Sequence, residues 1–228
     1  MELNGKVVVI TGASKGLGAE LSKLFAKEGA KLVIGSRNES GLKQIAEATG
    51  AVALKTNVAN KKDVEALGDL AVKKFGVVDI WINNAGVRIP HRVIEENDMS
   101  RVRDMFETNV FGTMNGTRTA LKHMKKQKSG AVINILSTAA LTGRANLAAY
   151  SASKFALVGF TQSIRQETAP FNIKVIAVFP GGMHTNFFDE EIPTDFDKYM
   201  QPSIVAEKII ENLKLETPQD EITIKRTS

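Results

Sequence analysis

KVVVITGASKGLGAELSKLF, residues 6–25, carries a strand, a glycine-rich turn and a helix in one uninterrupted run. The β-branched stretch KVVVI (6–10) reads as a buried strand, and Leu17, Leu21, Leu24 and Phe25 recur at helical spacing directly afterwards. Between them TGASKGLG (11–18) places glycines at 12, 16 and 18, a G-x-x-x-G-x-G spacing. Glycine lets the backbone approach a ligand without Cβ obstruction, and a helix N-terminus offers free N–H groups and the positive end of a dipole. Taken alone, such a turn could serve only to let a helix cross close to a strand. Its position between strand and helix favours a phosphate-binding role.

The same alternation continues along the chain. Short apolar runs stand at KLVIG (31–35), AVALK (51–55), DIWIN (79–83), AVINIL (131–136), IKVIAVF (173–179) and EITIK (221–225), and stretches with 3.6-residue apolar spacing separate them. Val64, Leu67, Leu70 and Ala71 are one such stretch. Wholly apolar strands separated by helices imply parallel pairing with both sheet faces covered. The expected fold is therefore α/β: a doubly wound, Rossmann-type, mostly parallel seven-stranded sheet with helices on both faces. No linker, repeat or low-complexity tract divides the chain, so residues 1–228 are expected to form a single domain.

Composition excludes several classes of function. The chain has 228 residues, 43% of them hydrophobic, enough for a large core, and it has no cysteine to form a disulfide, a thiolate nucleophile or a sulfur-ligated metal site. His91, His123 and His184 show no ligand pairing, so no metal is expected. The net charge of +5 is spread over lysine pairs near the ends of helices (61–62, 73–74, 125–126), where cations favour the C-terminal dipole or face water. Without a basic stripe interleaved with aromatics, no nucleic-acid partner is expected. MELNGKVVVI lacks a signal-peptide pattern, and no apolar run approaches the roughly 18 residues of a membrane span. The expectation is a soluble cytoplasmic protein with no membrane partner.

In a doubly wound sheet ligands bind beyond the carboxyl ends of the strands. The second strand ends in Gly35, Ser36 and Arg37, where a site for NAD would carry an acid to accept hydrogen bonds from the ribose 2′-hydroxyl. A hydroxyl and a guanidinium suit a 2′-phosphate instead, and Lys15 in the glycine loop adds a second cation on that side. NADP(H) is the expected cofactor. TNV (56–58) and NNAG (83–86) end the third and fourth strands, where side-chain amides can pair with adenine or buttress neighbouring backbone.

TGASKGLG, NNAG, Asn109 in ETNVFGT, Ser137 in NILSTAA, YSASK (150–154) and PGGMHT (180–185) stand in that order on the expected elements. Together they resemble the short-chain dehydrogenase/reductase family over Lys6 to Thr185. The resemblance implies an NADP(H)-dependent hydride transfer between nicotinamide and a carbonyl or alcohol substrate. It implies a catalytic set of Asn109, Ser137, Tyr150 and Lys154: Tyr150 as general acid and base, its phenolate favoured by Lys154; Ser137 as donor to the substrate oxygen; Asn109 as holder of a water. Cofactor contacts are implied at Gly12, Ser14, Lys15, Gly16, Leu17 and Gly18, then at Ser36, Arg37, Asn57 and Val58. They continue at Asn84, Ala85 and Gly86, at Tyr150 and Lys154, and at Pro180, Gly181, Met183 and Thr185. Ser36 and Asn57 stand where family members often carry Asp.

Two alternatives accompany this expectation: an activity like that of 3-oxoacyl-carrier-protein reductases, and a catalytically silent dinucleotide-binding regulator. The first is weakened because the region after the YSASK helix reads TAPFNIK, without the arginine such reductases carry there. The family's long helices, here 101–128 and 150–170, imply a homodimer or homotetramer, with Phe155, Val158 and Phe160 as contact residues. Residues 186–201 are expected to form a short substrate lid with Phe187, Phe188 and Phe196 beneath it. Arg88, His91, Arg92, Arg144 and His184 follow strand ends on the side where a small-molecule substrate would enter.

Overall fold

The computed structural model describes residues 1–188 and 190–226, so residue 189 of the expected lid and the last two residues lie outside it. Seven strands, β1 (Val7–Thr11), β2 (Lys31–Ser36), β3 (Val52–Lys55), β4 (Ile80–Asn83), β5 (Gly130–Ile135), β6 (Ile173–Pro180) and β7 (Glu221–Ile224), form one sheet in the order β3-β2-β1-β4-β5-β6-β7. All six pairings are parallel, so the sheet is wholly rather than mostly parallel. Helical crossovers return the chain to the same end each time. Strand order reverses between β1 and β4, which opens a crevice at their carboxyl ends.

The helices are α1 (Gly16–Lys27), α2 (Glu39–Thr49), α3 (Lys61–Phe75), α4 (Met99–Phe106), α5 (Gly112–Gln127), α6 (Ala148–Thr168) and α7 (Pro202–Lys214). Alternation along β1 divides the core in two. Val8 and Ile10 pack with Leu21 and Phe25 of α1 and Ile209 of α7, whereas Val7 and Val9 pack with Leu67 of α3 and Met124 of α5. Side-chain oxygens of Asn38, Asn60 and Asp98 cap the N-termini of α2, α3 and α4. Lys73, Lys74, Lys125 and Lys126 end helices as expected, but Lys61 and Lys62 open α3. There Asp63 in the same turn suits the dipole, and Lys61 reaches Glu65 at 3.8 Å.

The single helix expected over 101–128 is two helices joined by a π-helical turn at Glu107–Phe111. The flanking residues keep right-handed helical dihedrals, so the axis continues while the turn widens. Widening falls where the helix presses on the loop after β3: a Cβ on Gly112 would lie 2.6 Å from Val58 Cγ2.

Buried amides tie the layers together beneath the crevice. Trp81 Nε1 donates to Asn83 Oδ1 at 2.8 Å, and Asn83 Nδ2 donates to Asn134 Oδ1 at 2.8 Å and Thr117 Oγ1 at 3.0 Å. Asn134 Nδ2 in turn donates to Thr161 Oγ1 at 3.0 Å, which links β4 and β5 to α5 and α6. Among the described residues no helix is long and apolar enough to cross a membrane.

Candidate active site

A cavity of about 550 Å³ occupies the crevice, lined by the turns that follow β1 to β6. At its β1 end the glycine turn lies against the turn after β4. A Cβ on Gly12, whose φ is +67°, would sit 2.8 Å from Ala85 Cα, and one on Gly18 would strike Gly12 O. Asn84 Nδ2 donates to Thr11 O at 2.9 Å and Gly12 O at 3.2 Å, so of its two possible roles this amide buttresses the turn. Unlike α2, α3 and α4, helix α1 has no side-chain cap, and its first turn carries no acid. Its first N–H groups, at cavity-lining Gly16 and Leu17, suit the pyrophosphate of a dinucleotide.

At the β2 end of the cavity Ser36 accompanies Arg37 and Lys15. The hydroxyls of Ser36 and Ser14 lie 2.8 Å apart, and Glu39, the nearest following acid, is engaged by Lys55. Arg37 and Lys15 are exposed. The residues present therefore fit an adenine dinucleotide, with two cations and no free acid beside the ribose position.

Helix α6 carries Tyr150 and Lys154 one turn apart at the mouth of β5. Burial pushes the Tyr150 phenol up to about 12, opposed by hydrogen bonding with the Ser137 hydroxyl and then by the charge of Arg88. Lys154 is 5% exposed, donates to Ile135 O at 3.1 Å and is pushed down to about 8 by burial. Its Nζ lies 5.9 Å from the centre of the Tyr150 ring. Ser137 and Arg88 oppose the effect of burial on the phenol, and Lys154, one turn along α6, lines the same cavity. Ser137 lies where β5 gives way to a short helical turn, its oxygen accepting from Ala139 N at 3.1 Å.

Asn109 lies in the π-helical turn, behind the cavity wall. Its Oδ1 accepts from Val87 N at 2.8 Å, while its Nδ2 donates to Val87 O at 2.9 Å and Ser153 Oγ at 3.3 Å. This amide locks the chain after Gly86 to α6, whose Tyr150 carbonyl receives the Ser153 hydroxyl at 2.7 Å. Gly18, Asn57 and Asn109 do not line the cavity; the other expected site residues do. Asn57 is occupied locally, its Oδ1 accepting from Ala59 N at 3.2 Å.

A loop closes the remaining side. His184 N to Met200 O (2.8 Å) and Met200 N to Gly182 O (3.1 Å) pin its base, and Phe188 packs on Phe196 and Tyr199 with ring centres 5.8 and 5.2 Å apart. Phe187 reaches the Tyr150 ring edge-on at 6.1 Å. Glu191 spans from the loop to the segment after β4: its carboxylate accepts from His91 N at 2.7 Å, Arg92 Nη1 at 3.0 Å and Arg88 Nη2 at 3.2 Å. Sequence reasoning named Arg88, His91 and Arg92 but missed Glu191 as their partner and Tyr199 as part of the wall. Tyr199 is one of only two tyrosines in the chain, a weak signal at best.

The family model described as short chain dehydrogenase matches residues 6–195. An uncharacterized oxidoreductase of Staphylococcus saprophyticus is 36% identical over 213 residues, covering 90% of this chain and 86% of its own length. Among solved structures, 3-ketoacyl-(acyl-carrier-protein) reductase from Brucella melitensis complexed with NADH superposes with a TM-score of 0.92 at 31% identity, over 98% of both chains. ElxO with NADP bound superposes with a TM-score of 0.89 at 28% identity, over 97% of both chains.

Proposed function

The chain belongs to the short-chain dehydrogenase family of oxidoreductases, and from that premise we propose that it reduces a ketone or aldehyde, using NADP(H), with Tyr150 as the proton donor. The observation that carries the reading is the convergence of Ser137, Tyr150 and Lys154 on one wall of the cavity whose other end holds the uncapped α1, Lys15 and Arg37. When bound, the nicotinamide supplies the hydride. The chain's own residues do the rest.

Tyr150 delivers the proton to the carbonyl oxygen. Ser137 donates to that oxygen as negative charge builds on it, and Arg88 stabilises the phenolate left behind. Lys154, near-neutral in its pKa and enclosed, can release and regain a proton at physiological pH, and it stands where the ribose hydroxyls of the nicotinamide half would be held. Asn109 keeps the β4 turn and α6 at a fixed separation. The loop over residues 186–201 serves as lid, its aromatic underside excluding water from the reacting carbonyl.

NADPH oxidation against a panel of ketones, aldehydes and quinones tests the reading. Tyr150→Phe should keep cofactor affinity within a few-fold and lower kcat by several orders of magnitude. A Tyr150→Phe enzyme retaining more than about a tenth of wild-type kcat would remove Tyr150 as the acid.

A further inference from the structure

The side chain of Arg88 is only 7% exposed, and the residue lines the same cavity as Ser137 and Tyr150. Its Nε donates to Ile89 O at 3.3 Å, its Nη2 donates to Glu191 at 3.2 Å, and the Phe188 ring centre lies 4.7 Å from its guanidinium carbon. Nη1 is fully enclosed and has no hydrogen-bond partner among the described residues. A buried, charged donor left without an acceptor is costly, and native folds rarely carry one without a use for it.

The surroundings indicate which acceptor fits. This part of the wall already binds a carboxylate, because Glu191 is held by Arg88, Arg92 and the His91 N–H together. Two guanidiniums share that one carboxylate, so a positive charge remains. Glu190, also in the lining, is engaged by Arg101 at 2.5 Å, and Arg144 adds a cation that makes no ion pair among the described residues. Burial and the charge of Arg88 hold the His91 imidazole below its ordinary range, so it adds no charge near neutrality. Ile89, Leu147 and Phe187 add apolar surface to the same cavity.

We propose that the substrate carries a carboxylate in addition to its reducible carbonyl, and that the guanidinium of Arg88, which lines the cavity, receives it. The inference rests on the carbonyl-reductase reading and narrows it to oxo acids. In the reaction the carbonyl carbon gains a hydride from the reduced nicotinamide, and the oxygen gains a proton from Tyr150. The carboxylate is unchanged, and no carbon–carbon bond breaks. A guanidinium matches a carboxylate better than a neutral acceptor because the hydrogen bonds are charge-assisted and can be bidentate.

Three straight-chain probes, 2-oxohexanoate, 4-oxopentanoate and 5-oxohexanoate, each compared with its methyl ester, test this by kcat/KM with NADPH and by calorimetric binding without turnover. Wild type should favour at least one acid over its ester by about tenfold or more in both measurements. Arg88→Met should bring that ratio close to one, and Arg88→Lys should fall between. Glu191→Gln, which removes the competing carboxylate, should tighten binding of the acid, a change that damage to the fold would not produce. Esters bound and reduced as well as acids by wild type, as an enzyme for ketones with a neutral acyl end would do, overturn the proposal. So does an Arg88→Met protein that keeps the acid preference. Acid binding that depends on Arg88 in a protein that reduces no carbonyl would leave the carboxylate site standing and bring down the reductase reading alone.

Discussion

Lys154 Nζ lies over the face of the Tyr150 ring, 5.9 Å from its centre, and donates its hydrogen bond not to the phenol but to Ile135 O. The two residues are one helical turn apart, yet burial acts on each separately. It pushes the phenol up to about 12 and the ammonium down to about 8. Burial shifts each group toward its neutral form, so near neutrality the protein holds a protonated phenol beside an ammonium that, though still mostly charged, exchanges its proton more readily than an ordinary lysine.

That arrangement costs stability. The folded pKa of Lys154, about 8, is below its ordinary 10.5, so below pH 8 the folded state carries the full penalty of a buried charge. Between those values the folded state sheds the proton while the unfolded state keeps it, and stability rises with pH. Lys154→Met should therefore raise the Tm of the cofactor-free protein at pH 7 by about 2–8 °C while abolishing turnover. The gain should shrink toward pH 10. Thermal melts at both pH values measure it, and a lower Tm at pH 7 would contradict the argument.

Cofactor choice follows from single charges. Arg37→Ala should weaken NADPH by about ten- to a hundredfold, the loss of one charge-assisted contact, and leave NADH nearly unchanged. Ser36→Asp should go further, because a carboxylate repels a 2′-phosphate and accepts from ribose hydroxyls. Measured kcat/KM for both cofactors in wild type and the two variants decides it. Equal losses for NADPH and NADH, or a wild type preferring NADH, would rule out the assignment.

Gly116 faces the buried amide network. Its Cβ would strike Asn83 Oδ1 and lie 2.7 Å from Trp81 Nε1, so Gly116→Ala must displace the Trp81–Asn83 bond. Overpacking with a broken buried hydrogen bond costs about 2–4 kcal/mol, read as a lower urea midpoint at unchanged m-value. Stability equal to wild type would mean that α5 moves away at little cost.

Phe111 and Phe155 are 49% and 44% exposed on adjoining helical segments, the π-helical turn and α6. Large apolar side chains exposed on two segments that touch each other suit a two-fold contact. Val158 and Phe160 are partly buried against Leu136 and Phe179 and offer less free surface than the sequence suggested. Sedimentation velocity at micromolar concentration should show a dimer or tetramer, and Phe155→Glu should shift it toward monomer. A wild type that sediments as monomer would refute this.

The sequence by itself determined the sheet, the site of the crevice and most of the residues around it. Those features are written in short-range patterns: β-branched runs, glycines at 12, 16 and 18, and Tyr150 four residues before Lys154. A strand followed by a glycine turn and a helix folds locally in one way, and the parallel crossover rules leave few choices beyond it. What each ionisable group experiences was decided only by tertiary structure. Arg88 and Glu191 are 103 residues apart in the chain, and nothing in either neighbourhood announces the pairing or the unpartnered Nη1. The sequence places Asn109 in an unbroken helix, and only the fold shows the π-helical turn that carries it and its paired bonds to Val87. Burial and charge compensation depend on which distant elements close over a side chain. A local pattern fixes where a residue sits on its own element, and only packing determines how much water and charge reach it.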